Sequence, residues 1–331
     1  MEDISKITKS ENKIKKFFLK FLRVPELGLI LFIILFGTLV ALINPQFIQF
    51  INLLQIFRTT VLIFIIGCGM TFVLVGGEID LSVGSVFGFT GTVIGFAMVF
   101  GLSIPAAIGI GIITGIIIGS ITGQIIVRLK IPALIVTLGM LYIYRGLIAR
   151  LTHGESLFSF PLSFYELARG TIFGVPYIII IAVIIGLISH VILNNTSFGY
   201  NVRCVGGNKL AAIAGGINVN KIKMILFIIT GIACAISSVL SVSYYRVVSL
   251  NLGYGFEMYV IAAVIIGGTS LYGGTGNILG TFLGSLIVML IQNGMILLRV
   301  SAYWQKVVVG VVMIVAVGID IARRRLMIKA N

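Results

Sequence analysis

Glu78 and Asp80, two carboxylates two positions apart, stand in the run Gly76-Gly77-Glu78-Ile79-Asp80-Leu81-Ser82-Val83-Gly84-Ser85 between long apolar stretches. Acidic groups at membrane depth are costly unless they meet partners or water. The glycines read as a broken helix whose open backbone lines a cavity or faces the cytoplasmic surface. Asp80 ahead of Leu81-Ser82 also reads as an N-cap, so capping competes with contact to a polar solute. A second glycine-rich joint, residues 266–276, contains Thr269. It is no phosphate cradle, because Gly-x-x-x-x-Gly-Lys-Ser/Thr occurs nowhere in the chain. Gln292 and Asn293 lie deep in a later apolar run, where amides either bond a hydroxylated solute or tie helices together. Asp80, Ser82, Ser85, Thr269, Gln292 and Asn293 are therefore the candidates for a solute path.

No nucleophile–base or paired-carboxylate arrangement points to covalent catalysis, and no catalytic residue is assigned. His153 and His190 are isolated, while Cys68, Cys204 and Cys234 lack metal or redox spacing. Neither a metal site nor a disulfide is expected. Arg58, Arg145 and Glu257 read as residues near the outer ends of their runs, their polar heads snorkelling to water.

The elements that must position these residues are helices in a bilayer. The 331 residues are 59% hydrophobic and 10% charged, with mean hydropathy +1.16. That is too apolar for a soluble chain of this length. The runs are continuous and lack the period-2 alternation of outer-membrane barrels. About ten spans follow: 27–43, 53–75, 81–100, 104–127, 132–151, 175–193, 224–244, 258–272, 278–298 and 304–321. The fold class is all-α, a polytopic membrane protein with glycine-rich, re-entrant joints. The comparable places of the two joints suggest an internal repeat, inverted in the membrane.

The net charge of +14 does not imply nucleic acid, because the cations cluster in the gaps between spans, facing lipid. With the N-terminus cytoplasmic, the leader (residues 1–24) supplies seven cations and Arg128 with Lys130 two. Residues 194–223 supply four and the C-terminal tail four, together 17 of the 24. Both termini then lie on the cytoplasmic side of the plasma membrane. Residues 25–331 form one transmembrane domain, with residues 152–174 as its main outer loop. Glycine faces at Gly111, Gly115, Gly119 and Gly123, and at Gly276, Gly280 and Gly284, permit close helix approach, within one subunit in preference to a dimer seam.

Residues 194–223 are the longest polar interruption. Asn208 is a good N-cap, Lys209–Ala214 is helix-forming, and Gly215-Gly216 stops it. Two turns of helix have no stability of their own in water, so this one must lie against something.

The stretches 76–85, 206–223 and 262–281 together resemble the permease subunit of ribose-type ABC importers, in order and over nearly the whole of residues 52–320. The resemblance implies that Gly206, Gly207, Asn208, Lys209, Ala211, Ala212, Gly216 and Ile217 form a coupling helix that docks on a cytoplasmic ABC ATPase. It implies further partners: an extracytoplasmic sugar-binding protein and a second permease copy. ATP and magnesium would sit on the ATPase, with no cofactor on this chain. Many such permeases carry Glu just before the alanine pair, where this chain has Lys209-Leu210. Substrates implied are monosaccharides such as ribose, with a nucleoside or furanosyl signalling molecule as alternatives. A self-sufficient secondary transporter or channel is the competing class, with Glu78 and Asp80 as its ion site.

Overall fold

The computed structural model describes residues 25–158 and 160–330; the basic leader lies outside them. Among the described residues are thirteen α-helices: α1 (Pro25–Ile43), α2 (Phe50–Val75), α3 (Val83–Val99), α4 (Ile104–Leu129), α5 (Ala133–Thr152), α6 (Leu162–Arg169), α7 (Tyr177–Asn195), α8 (Ser197–Gly207), α9 (Lys209–Ala214), α10 (Val219–Tyr245), α11 (Phe256–Ile266), α12 (Ile278–Leu297) and α13 (Ala302–Ala330). One two-stranded hairpin, β1 (Thr171–Ile172) with β2 (Val175–Pro176), interrupts the series. Among the described residues seven helices are long and apolar enough to cross a bilayer; α3 and α11 are shorter apolar helices, and α13 is apolar over residues 302–315.

α2 and α10 form the interior. Their most apolar windows are 89% and 72% buried, against 28% for α4, α5 and α7. A helix apolar on all sides belongs inside a bundle, and α2 is one. Backbones meet where side chains vanish. A Cβ on Gly115 would strike the Gly231 carbonyl, and one on Gly119 the Phe227 carbonyl. Likewise, Gly280 and Gly284 press on Gly267 and Ala263. These stripes of small residues therefore close the bundle within one chain.

The two joints share one construction. α2 ends with Gly77 at φ +77°, its N–H donating to Leu74 O (2.9 Å), and Glu78 N donating to Val73 O (3.0 Å). α11 ends with Gly268 at φ +87°, its N–H donating to Ile265 O (2.8 Å), and Thr269 N donating to Val264 O (3.2 Å). Both are Schellman-type ends, which need a left-handed residue where only glycine is unstrained. The joints also touch, since Gly274 N donates to Val75 O at 2.8 Å.

Elsewhere the elements differ from the sequence reading at defined places. The span read as 258–272 stops at Ile266, because Gly267-Gly268 turns the chain. The polar loop contains α8, and the outer loop contains α6 and the hairpin.

Candidate functional site

α2, α10, α11, α12 and the segment 249–253 enclose a cavity of about 290 Å³. Its polar lining includes Thr59, Ser241, Tyr245, Asn251, Tyr259 and Gln292, with Phe256 adding an aromatic face; among the described residues no charged side chain lines it. Small-molecule sites combine apolar walls with a few placed polar groups. Hydroxyls, amides and ring faces without charge suit a neutral, hydroxylated solute.

Hydrogen bonds from neighbouring residues hold these walls together. Ser237 Oγ donates to Leu62 O (2.9 Å) and Tyr244 OH to Gln55 Oε1 (2.7 Å), fastening α10 to α2. The segment beside the cavity is pinned by Leu157 and Val248, which exchange backbone bonds of 2.9 and 3.0 Å. Arg145 and Glu257 do not snorkel. Arg145 Nη1 reaches inward to Leu252 O at 2.8 Å, under the Tyr254 ring, and Glu257 is 9% exposed against Gly84. The glycine face of α3 leaves them the space.

The six path candidates divide. Gln292 lines the polar cavity of about 290 Å³. Asn293 instead exchanges amide bonds with Asn52 at 2.9 and 3.0 Å, joining α12 to α2. Asp80 and Ser82 line a separate, much smaller void. Ser85 is fully buried and its Oγ donates to Ser82 O (2.7 Å), while Thr269 is buried in the second joint. Asp80 accepts from Ser82 N (2.8 Å) and Ser82 Oγ (2.6 Å). Asp80 therefore shapes the entry to α3, but Ser82 holds the N-cap position. Glu78 is engaged by Lys223 of α10 in an ion pair. Sequence reasoning missed most of the cavity lining. The clustered hydroxyls of α10, Ser237, Ser238, Ser241, Ser243, Tyr244 and Tyr245, were the available signal.

At the basic end, Asn208 Oδ1 accepts from Ala211 N at 3.1 Å, starting α9, and Gly216 at φ +80° follows its end. Leu210 is 79% and Ile213 53% exposed, whereas Ala212 is turned into the chain at 3%. The outward apolar edge is thus Leu210 and Ile213; of the alanine pair, Ala212 is turned inward and Ala211 is exposed. Gly206, at the end of α8, abuts both the Val75 carbonyl and Gly274, and Arg203 Nη2 donates to Gly276 O at 3.2 Å. The α8–α9 segment is therefore seated on both joints.

Helices broken by two touching joints, with a solute-sized uncharged cavity among them, define a multi-pass membrane permease. Residues 52–317 match the family described as branched-chain amino acid transport system / permease component. The chain is 36% identical to the ribose import permease of Bacillus subtilis strain 168 over 89% of this chain and 91% of that one. It is 35% identical to the ribose import permease of Escherichia coli K12, covering 92% and 96%. It is also 32% identical to the D-allose transport system permease of Escherichia coli K12, covering 88% and 89%. The chain belongs to this permease family, in its ribose-type ABC importer branch, whose members are multi-pass inner-membrane proteins. No solved structure matches it.

Proposed function

We propose that the chain is the membrane subunit of an ATP-driven importer for a neutral monosaccharide of the ribose kind. The observation that carries this reading is the seating of α8–α9: an exposed apolar edge, Leu210 and Ile213, backed by Gly206 against both joints. An apolar edge on a two-turn helix needs a protein to lie on, and the partner of this reading is a cytoplasmic ABC ATPase. Gly206, Gly207, Asn208, Lys209, Ala211, Gly216 and Ile217 build and orient the coupling segment, while Ala212 anchors it from within. ATP and magnesium belong to that ATPase, and this chain catalyses no bond change.

In this mechanism ATP draws two ATPase domains together, moving α9 of each of two permease copies. Motion enters at Gly206 and Arg203, reaches Val75, Gly274 and Gly276, and tilts α2 and α12 about the joints. The cavity then opens to a docked extracytoplasmic sugar-binding protein, and hydrolysis resets it. Each ligand shifts the equilibrium only by its differential affinity for the two states. With Lys209-Leu210 in place of an acidic residue, docking relies on apolar shape rather than on a carboxylate.

Proteoliposomes containing this chain, the ATPase and the binding protein test the reading. Uptake of labelled ribose or a related sugar is expected only with both ATP and binding protein present. Uptake driven by an ion gradient without ATP would reject it.

A further inference from the structure

Asp80 is 4% exposed, yet no cation meets it: among the described residues the one ion pair joins Lys223 to Glu78. Both hydrogen bonds that the Asp80 carboxylate accepts, from the backbone N–H and hydroxyl of Ser82, fall on Oδ1. Beside it lies a void of about 10 Å³, about the room one water needs. The polar groups around this void are Asp80 and Ser82 of the first joint, Thr122 of α4 and Thr230 of α10.

What these groups offer is lopsided. The Ser82 hydroxyl hydrogen goes to Asp80, and the Thr230 hydroxyl hydrogen goes to Leu226 O at 3.0 Å. Both therefore present lone pairs to the void. Thr122 is 2% exposed, and its Oγ1 has no hydrogen-bond partner at all. A carboxylate and three hydroxyl oxygens thus share one uncommitted hydrogen. A buried carboxylate so placed is stabilised by a positive charge, and none is supplied among the described residues.

We propose that this void binds a single dehydrated alkali-metal cation, held by the Asp80 carboxylate and the hydroxyl oxygens of Ser82, Thr122 and Thr230. Oxygen donors select a hard cation, and a single carboxylate suits a monovalent one. The only sulfur on the wall, Cys234 Sγ, is directed at Val83 O (3.4 Å). Gly119 and Gly231, where α4 and α10 meet most closely, also border the void. The ion would therefore fasten the first joint to that seam, as a fixed part of the permease and not as a coupled substrate.

Equilibrium binding of radioactive sodium, and of radioactive rubidium as a potassium surrogate, to the full chain in lipid nanodiscs tests the site. The expected result is saturable binding of one ion per chain with one of the two isotopes. Asp80→Asn and Thr122→Val should each weaken it about tenfold or more. Thr122→Val keeps the side-chain shape and removes only the oxygen. Its thermal unfolding should match wild type when N-methylglucamine is the only cation, and should lose the added stability that the bound ion gives wild type. Absence of saturable binding for both isotopes, as for a void holding water beside a protonated Asp80, would overturn the proposal. So would equal affinity in wild type and both variants. Either failure leaves the ATP-driven reading standing, because that reading is scored by uptake.

Discussion

Gln292 and Asn293 are neighbours in sequence with different roles, because successive helix positions point about 100° apart. Gln292 faces the cavity, whereas Asn293 is spent on Asn52. Gln292→Ala should lower sugar uptake by about tenfold, the worth of one lost hydrogen bond of roughly 1 to 1.5 kcal/mol, with expression and ATPase association unchanged. Asn293→Ala should instead lower thermal stability, since it leaves Asn52 short of a partner. Glu78 makes a comparable case. It faces the basic end, and Lys223 is mostly buried beside it. Glu78→Gln should cost roughly 1–3 kcal/mol by leaving a lysine uncompensated. The double variant Glu78→Gln, Lys223→Met should recover most of that loss, as thermal unfolding in detergent would show. The sequence disclosed that amides and carboxylates sat at depth but not where each pointed. That information resides in the packing of α2 against α12 and of α10 against the first joint.

At the scale of elements, legibility followed how local the signal was. α9 occupies the Lys209–Ala214 stretch that Asn208 and Gly215-Gly216 mark, because caps and stops act over a few residues. α8 was invisible for the opposite reason. Its sequence holds three glycines and much polarity, and it exists because Gly199, Val202 and Val205 are buried against other elements. α6 is similar, eight residues of the outer loop stabilised by burying Phe164 and Ala168 against the bundle. The glycine stripe of α4 was legible as a contact face, although its partner, α10, was not. Gly206→Ala tests whether α8 links α9 to the joints. A methyl group there meets the Val75 carbonyl, so the strain should cost about 1–3 kcal/mol. ATP-driven uptake should fall further than ATPase association does, and paired uptake and copurification measurements would separate the two effects.

For the molecule as a whole, composition alone placed the chain in a bilayer, and the spans read from it largely coincide with helices. The eighth stops short, since backbone geometry at Gly267-Gly268 ends it early, and the tenth runs on to Ala330. The cavity was hardly legible, since hydroxyls scattered over α2, α10, α11 and α12 converge only once the bundle closes. The central claim is that the basic end receives force from a motor protein through the exposed edge of α9. Single cysteines at Leu210, Ile213 and Ala212, crosslinked in membranes containing the cognate ATPase, test it most directly. Leu210→Cys and Ile213→Cys should each yield a crosslinked ATPase adduct that changes with bound nucleotide, while Ala212→Cys, turned into the chain, should not. If Leu210→Cys and Ile213→Cys are labelled only from outside the cell, or form no ATPase adduct in any nucleotide state, the account is contradicted.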